Sequence, residues 1–302
     1  MSILVVGSVA YDTIRTPTGE VQDALGGSAT YFSAAASFFA PVKIIAAIGD
    51  DFSREQLSFL GERGTDLDGL HMMPGKTFRW TGVYNENMNE RQTVCTELNV
   101  FERFQPHLSE GETHTPLLFL ANIDPDLQNR ILDQVQGARL IMSNTIHLWI
   151  EKKRETFLST LDRVTVLMIN DSEARALTGE YNLLKAGRRI LLFGPKAVLI
   201  TKGDNGVLMV MKDSVFTLPA YPKEEVCDPT GAGDSFAGGF MGYAAQASAL
   251  NEMTYRTAAV YGSIMASFTI EAFGVERLRD LTRQEIEKRY REFVEITRFQ
   301  GG

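Results

Sequence analysis

The stretch Cys227-Asp-Pro-Thr-Gly-Ala-Gly-Asp-Ser-Phe-Ala-Gly-Gly-Phe240 holds the residue types and spacing best suited to chemistry. Pro229 and Gly231 predict a turn, and an apolar helix is expected to begin near Gly233. The first amides of a helix lack internal partners and lie at the positive end of its dipole, so such a junction binds anions. Small residues at 231–233 let a phosphate approach the backbone closely. Asp234 then falls in the first turn. A lone aspartate there often does no more than complement the dipole. Beside an anion nest, it also sets a carboxylate base within reach of a phosphoryl group.

Two other glycine signatures fail. Gly75-Lys76-Thr77 ends like a P-loop, but the glycine required five positions before Gly75 is Leu70, and Pro74 removes an amide donor. Gly231-Ala-Gly233 opens like a dinucleotide fingerprint, yet its third glycine position is Phe236 and it lies far from the first β-α unit.

The elements that must position Asp234 follow a β-α-β rhythm. Ile3–Val6, Ile44–Ile48, Leu117–Leu120, Leu140–Met142, Val164–Ile169 and Val198–Ile200 read as strands buried on both faces. Amphipathic stretches such as Pro125–Gln136 and Glu151–Leu161 lie between them. This predicts an α/β fold, a mainly parallel central sheet with helices on both faces, whose ligands bind at the carboxyl ends of the strands. Asn122, Ser143, Asn144 and His147 fall at such ends, either lining a pocket or capping turns. Thr77–Tyr84 and Arg91–Leu98 instead alternate polar and apolar residues around a turn rich in Asn and Glu, which predicts a hairpin. With Thr13–Ala24 it forms a small β lid, residues 13–25 and 74–103, inserted in a single domain spanning 1–302. A flap over a ligand crevice and a decorative or dimer-forming hairpin are both open readings. Ser235–Ala247, Thr254–Glu271 and Arg283–Phe299 read as helices, the last a solvated outer one.

The 302 residues are 44% hydrophobic and 23% charged, ordinary globular composition that excludes disorder and low complexity. A net charge of −8 argues against nucleic-acid or membrane-surface partners. It does not argue against an anionic ligand, which a local nest of amides can hold. Two cysteines without C-x-x-C spacing exclude a disulfide scaffold or a cysteine-rich zinc site and fit a reducing, cytoplasmic setting. The start, Met1 to Gly7, reads as a buried strand rather than a signal peptide.

Asp228-Pro-Thr-Gly-Ala-Gly-Asp234-Ser-Phe resembles the C-terminal signature of the ribokinase-like (PfkB) carbohydrate and nucleoside kinases. Other motifs line up from Gly7 to Gly274. Gly7-Ser-Val-Ala-Tyr-Asp12 is similar to the family's first strand and substrate-binding aspartate, and Gly26-Gly27 to its di-glycine motif. Asn170-Asp-Ser-Glu173 resembles its Asn-x-x-Glu motif, and Thr201-Lys-Gly203 with Gly206 its nucleotide turn. The resemblance implies an ATP- and Mg²⁺-dependent kinase of ribokinase-like fold. Asp234 would be the general base, with the amides of Gly231, Ala232, Gly233 and Asp234 as anion hole. It also implies that Asn170, Glu173, Thr201, Gly203 and Asp228 serve the nucleotide, with Glu173 reaching Mg²⁺ through water, and that Asp12, Gly26, Gly27 and Tyr31 face the substrate. Phe273-Gly274 matches part of a K⁺ site.

The chain departs from the family at Tyr31, where an asparagine is usual, and at Ala10, where several sugar kinases carry a polar residue. Two readings stand for Tyr31: a ring that stacks on a base, or packing at the start of a helix. A small sugar or sugar acid is the leading acceptor, a nucleoside the runner-up, and a non-catalytic sensor on the same scaffold the third reading. A homodimer through the lid is a further expectation.

Overall fold

The computed structural model describes residues 1–298 and contains thirteen strands among them. These are β1 (Ile3–Val6), β2 (Ala10–Thr16), β3 (Gly19–Gly26), β4 (Val42–Gly49), β5 (Leu70–Met73), β6 (Phe78–Tyr84) and β7 (Arg91–Glu97). They continue with β8 (Leu117–Leu120), β9 (Leu140–Ser143), β10 (Val166–Asn170), β11 (Ala197–Thr201), β12 (Val207–Met211) and β13 (Val215–Leu218). Nine form one sheet in the order β13-β12-β11-β10-β9-β8-β1-β4-β5. From β10 across to β5 neighbouring strands run parallel, as do β10 and β11, while β12 and β13 add an antiparallel edge.

The unbroken apolar runs are explained by burial on both faces. Ile3 and Val5 point into one hydrophobic core, while Leu4 and Val6 point into the other. Leu117 and Phe119 against Leu118 and Leu120 repeat the pattern, as do Val166 and Met168 against Leu167 and Ile169. Successive side chains of a strand face opposite ways, so a two-sided core demands apolar residues at every position. The long helices Ala232–Gln246 and Glu252–Thr269 pack beside the helix Ser28–Ala36 over one face. Here the order in sequence matters: the helix carrying Asp234 starts beside the carboxyl ends of the central strands.

Several boundaries differ from expectation. Glu151–Leu161 is two helices, His147–Lys152 and Arg154–Leu161, broken at Lys153 with φ −135° and ψ 39°. The strands β5, β12 and β13 were not anticipated. The aspartate-bearing helix begins at Ala232, and the last helix runs Arg283–Thr297. The expected end at Phe299 lies outside the described residues.

The remaining four strands form a separate sheet, β3-β2-β6-β7, with β2 and β6 parallel and the outer pairs antiparallel. It combines the two segments expected to form the lid, with β2 starting earlier, at Ala10, and Asn99–Arg103 forming a 3₁₀ turn.

Candidate active site

The loop before helix Ala232–Gln246 is held in a form only glycine accepts easily. Gly231 caps the helix with φ 76° and ψ −2°, and a Cβ there would come within 2.3 Å of the Tyr31 ring. Ser235 donates its amide to Gly231 O at 2.8 Å, and Ala232 donates to Pro229 O at 3.2 Å. The amides of Gly233 and Asp234 find no acceptor among the described residues. Of the expected anion hole, then, the Ala232 amide is engaged in the turn, and those of Gly233 and Asp234 remain open to a ligand. Asp228, fully buried, has its two carboxylate oxygens bonded to the amides of Thr230 (2.8 Å) and Gly274 (3.3 Å). It therefore clamps the loop instead of extending toward a nucleotide. The same bond closes Phe273-Gly274, the segment expected at a K⁺ site, directly onto the loop.

Asp12, Asp234 and Glu173 are three carboxylates within reach of the charge of Arg91, and Asp12 also feels Asp228 and Asp234. Burial pushes Asp234 up to about 7, with the Asn144 side chain and Arg91 pulling it back. Burial pushes Asp12 up to about 7 as well, reinforced by Asp228 and Asp234 and opposed by the Gly27 amide and Arg91. Glu173 is likewise raised by burial to about 7, against hydrogen bonds from Asn170 and the charge of Arg91. A buried acid without a counter-charge holds its proton because the charged form is the one desolvation penalises. Such clustering of raised carboxylates marks a site built to receive cationic or hydrogen-bond-donating groups.

Asp12 lies against Gly26 and accepts from Gly27, so these three of the four residues expected at the substrate lie together. Asn170 and Glu173 form a capping box at the start of helix Asp171–Thr178. The Glu173 amide donates to Asn170 Oδ1 at 2.8 Å, and the Asn170 amide to Glu173 Oε2 at 3.0 Å. The motif therefore also serves as a helix cap. It leaves Glu173 Oε1 and Asn170 Nδ2 for other partners. Tyr31 is only 1% exposed with its ring laid on Gly231, so it is not free to stack on a base. Its hydroxyl is buried without a partner, and burial with Asp12 close by raises it well above its ordinary value.

The smaller sheet supplies residues that sequence reasoning missed. Register pairs Asp12 with Trp80 and, across β7, Tyr84 with Arg91. Period-two alternation therefore sets Asp12, Trp80, Gly82, Tyr84 and Arg91 on one face. That face covers the loop, because the Thr230 hydroxyl donates to Tyr84 Oη at 3.2 Å and Arg91 flanks the same phenol. Trp80 is half-buried with its ring over Gly82, where a Cβ would meet it at 2.0 Å. The Arg91 guanidinium lies 5.5 Å from that ring. The signal was present in the alternation of 80, 82 and 84, but sequence alone does not say which face turns inward.

The hairpin tip also reaches the far side of the crevice. Asn89 Nδ2 donates to Asp204 Oδ1 at 3.1 Å, and the Asp204 amide donates to Asn89 Oδ1 at 3.2 Å. Asp204 belongs to the turn after β11, next to Thr201 and Gly203, the residues expected at the nucleotide. One hairpin thus touches both the loop before Asp234, through Tyr84, and the turn after β11, through Asn89.

Comparison with known proteins agrees with this geometry. Residues 1–280 match the pfkB family carbohydrate kinase profile. The chain is 31% identical over 247 residues to the cytidine kinase of Thermococcus kodakarensis, covering 80% of this chain and 87% of that protein. The Burkholderia thailandensis nucleoside kinase in complex with ADP-inosine superposes with a TM-score of 0.78 at 18% identity, covering 99% of this chain and 98% of that one. Thermotoga maritima ribokinase superposes with a TM-score of 0.74 at 19% identity, covering 96% and 99%. The smaller sheet and the nine-stranded body are those of the ribokinase fold. Among the described residues no helix is long and apolar enough to cross a membrane. The chain belongs to the pfkB family of carbohydrate and nucleoside kinases and is an ATP-dependent kinase.

Proposed function

We propose that this kinase transfers the γ-phosphoryl group of ATP to a hydroxyl of a nucleoside, with Asp234 as the base. The acceptor oxygen forms a bond to the γ-phosphorus as the bridge to the β-phosphate breaks, the proton passes to Asp234, and ADP leaves. One observation carries the base: the half-buried Asp234 carboxylate, held by the Asn144 side chain, stands in the first turn of its helix beside the free amides of Gly233 and Asp234. The amides hold the oxygens of the transferring group while the carboxylate receives the proton, so both lie within one helical turn. Thr201 and Gly203 would border the nucleotide, and Arg91 would offset charge from the lid side.

Magnesium fits the residues present. Glu173 keeps one carboxylate oxygen free, and no cluster of three or more His, Cys, Asp or Glu side chains able to cage a metal occurs among the described residues. Mg²⁺ keeps several waters and needs few protein ligands, so Glu173 would hold it through water with Asn170 Nδ2 on phosphate. When bound, the ion supplies charge neutralisation on the phosphates.

The nucleoside moves ahead of the free sugar on the likeness to the cytidine kinase, and Trp80 supports it. Its half-buried indole on the inward face of the lid offers the flat ring a base can stack on, next to Asp12 as acceptor for ribose hydroxyls. Asp12, Gly26 and Gly27 would serve a free sugar equally, which keeps that class as the second reading. The test is ADP release from Mg·ATP across nucleosides, sugars, sugar acids and inositols, with Asp234→Asn alongside. Turnover on a nucleoside that collapses in the variant supports the proposal. Turnover on sugars alone refutes the nucleoside, and ligand binding without ADP release would leave the sensor.

We infer that a second copy pairs through the lid. All seven residues of β7 are exposed, and it is an edge strand of its sheet. A monomer mass in sedimentation equilibrium at micromolar concentration would end this reading.

A further inference from the structure

Between the strand ends of the nine-stranded sheet and Asp234 stands a side chain that no motif assigns. Asn144 follows β9, and its Nδ2 donates to Asp234 Oδ1 at 2.9 Å. It is itself fixed from below. Its backbone amide donates to Leu120 O at 3.2 Å, and Gln128 Nε2 lies 3.3 Å from its carbonyl oxygen. The same Gln128 nitrogen lies 3.0 Å from Ala121 O and 3.2 Å from Ser143 Oγ, and Gln128 is 1% exposed. Two strand ends, β8 and β9, are thereby tied by one buried amide to the residue that touches the base.

We propose that Asn144 is the positioning residue of the base: it holds one oxygen of Asp234, so that the other is presented to the acceptor hydroxyl. This rests on the assignment of Asp234 made above. Three observations favour it over a turn cap. First, the amide end that is satisfied is the one facing Asp234, while Asn144 Oδ1 is buried without a partner. A buried acceptor left unpaired is costly, so a residue selected only to cap a turn would be expected to satisfy its carbonyl first. Second, the end of the amide that meets Asp234 is its donor, the group the carboxylate needs once it is ionised to act as a base. Third, the contact is long-range, from the end of β9 to the first turn of helix Ala232–Gln246, so it fixes the base relative to the sheet on which substrate rests. A carboxylate in a first turn has two rotatable bonds, and without an external anchor its reactive oxygen sweeps an arc; transfer requires the oxygen within hydrogen-bond reach of the proton.

The test reads the base directly as well as the rate. In full-length protein with ¹³C-labelled aspartate carboxyls, the Asp234 resonance is identified by its loss in Asp234→Asn and titrated with pH. In Asn144→Leu, which keeps volume and removes the donor, the midpoint moves up by about one pH unit. With cytidine as acceptor, kcat falls about tenfold to a hundredfold while KM stays within about twofold. An unchanged midpoint overturns the proposal, as does a raised KM at unchanged kcat, which would make Asn144 a substrate contact. If Asn144→Leu fails to fold, Asn144→Ser, too short to reach, is titrated in its place. The titration needs no turnover, so failure of the nucleoside reading leaves it decisive.

Discussion

Strands β8 and β7 stand in opposite environments. Every residue of β8 is buried, and every residue of β7 is exposed. β8 lies in the interior of a nine-stranded sheet with a core on each face. β7 is the edge of a four-stranded sheet that rests on the body through one face. The body fixes its groups by packing and hydrogen bonds: Asp228 is buried and bonded to the amides of Thr230 and Gly274, Gly231 lies against the Tyr31 ring, and Asp234 is held by Asn144. The lid contributes side chains through a few polar contacts, Tyr84 to Thr230 and Asn89 to Asp204. Elements with few buried contacts open at lower free energy. Under the proposed function, chemistry common to any acceptor would belong to the body, and discrimination between acceptors to the lid.

Substitutions in the body break this comparison most sharply if they spare any acceptor. Asp234→Asn is expected to lower kcat by about 10³- to 10⁴-fold on every acceptor that turns over, read by ADP release. Its effect on stability has the opposite sign. Folded Asp234 holds its proton up to about 7, against 3.8 ordinarily, so between those values the native state binds a proton that the unfolded chain has lost. Stability therefore falls as pH rises through that window, and the penalty is fully present above it. Asp234→Asn should melt several degrees higher than the parent protein at pH 8, with the gap closing near pH 4. A lower melting temperature at pH 8 would show the carboxylate to be compensated by a cation. Next in size is Gly231→Ala, whose Cβ meets the Tyr31 ring at 2.3 Å on a backbone with φ 76°. Distorting the loop withdraws its amides, and kcat should fall about 10²- to 10³-fold, again irrespective of acceptor.

The division between body and lid also governs how much the sequence disclosed. Buried parallel strands announce themselves through unbroken apolar runs, and six were legible to within one or two residues at either end. Asp234 carries its own signal through the Gly-Ala-Gly nest before it, whereas Asp12, Gly26, Gly27, Asn170 and Glu173 were legible only through their resemblance to family motifs. Three kinds of information were not local. The pairing of β12 and β13 at the sheet edge depends on which strand finds a neighbour. The clamp role of Asp228 depends on Gly274, 46 residues away. The inward face of the lid depends on register, so Trp80, Tyr84 and Arg91 looked like ordinary hairpin residues. Tyr31 shows the same limit, since only its contact with Gly231 decides between packing and stacking.

Lid substitutions should be smaller and should differ between acceptors. Arg91 is the cation that opposes the raised pKa of Asp12, Glu173 and Asp234 together. Arg91→Gln is expected to cost about tenfold in kcat/KM. It should also move the acid limb of the rate profile to higher pH, because the base loses a favourable charge. An unmoved limb would mean that solvent screens Arg91 from the site.

The smallest expected effect separates a hinged lid from a fixed one. Asn89 and Asp204 exchange two hydrogen bonds across the crevice, at 3.1 and 3.2 Å, and both are exposed to water. Exposed polar pairs contribute little, so Asn89→Ala should leave melting temperature within about 1 °C and kcat within about twofold. The pair joins the hairpin to the turn beside Gly203, however, and under the proposed function a hairpin anchored there would close over nucleotide and acceptor together. Removing the anchor should raise KM for the acceptor severalfold, and more at low ATP than at saturating ATP, since bound nucleotide no longer helps to hold the lid. Equal KM values at both ATP concentrations would show that the two halves close independently, and that β6 is held over the site by the bond between Tyr84 and Thr230 alone.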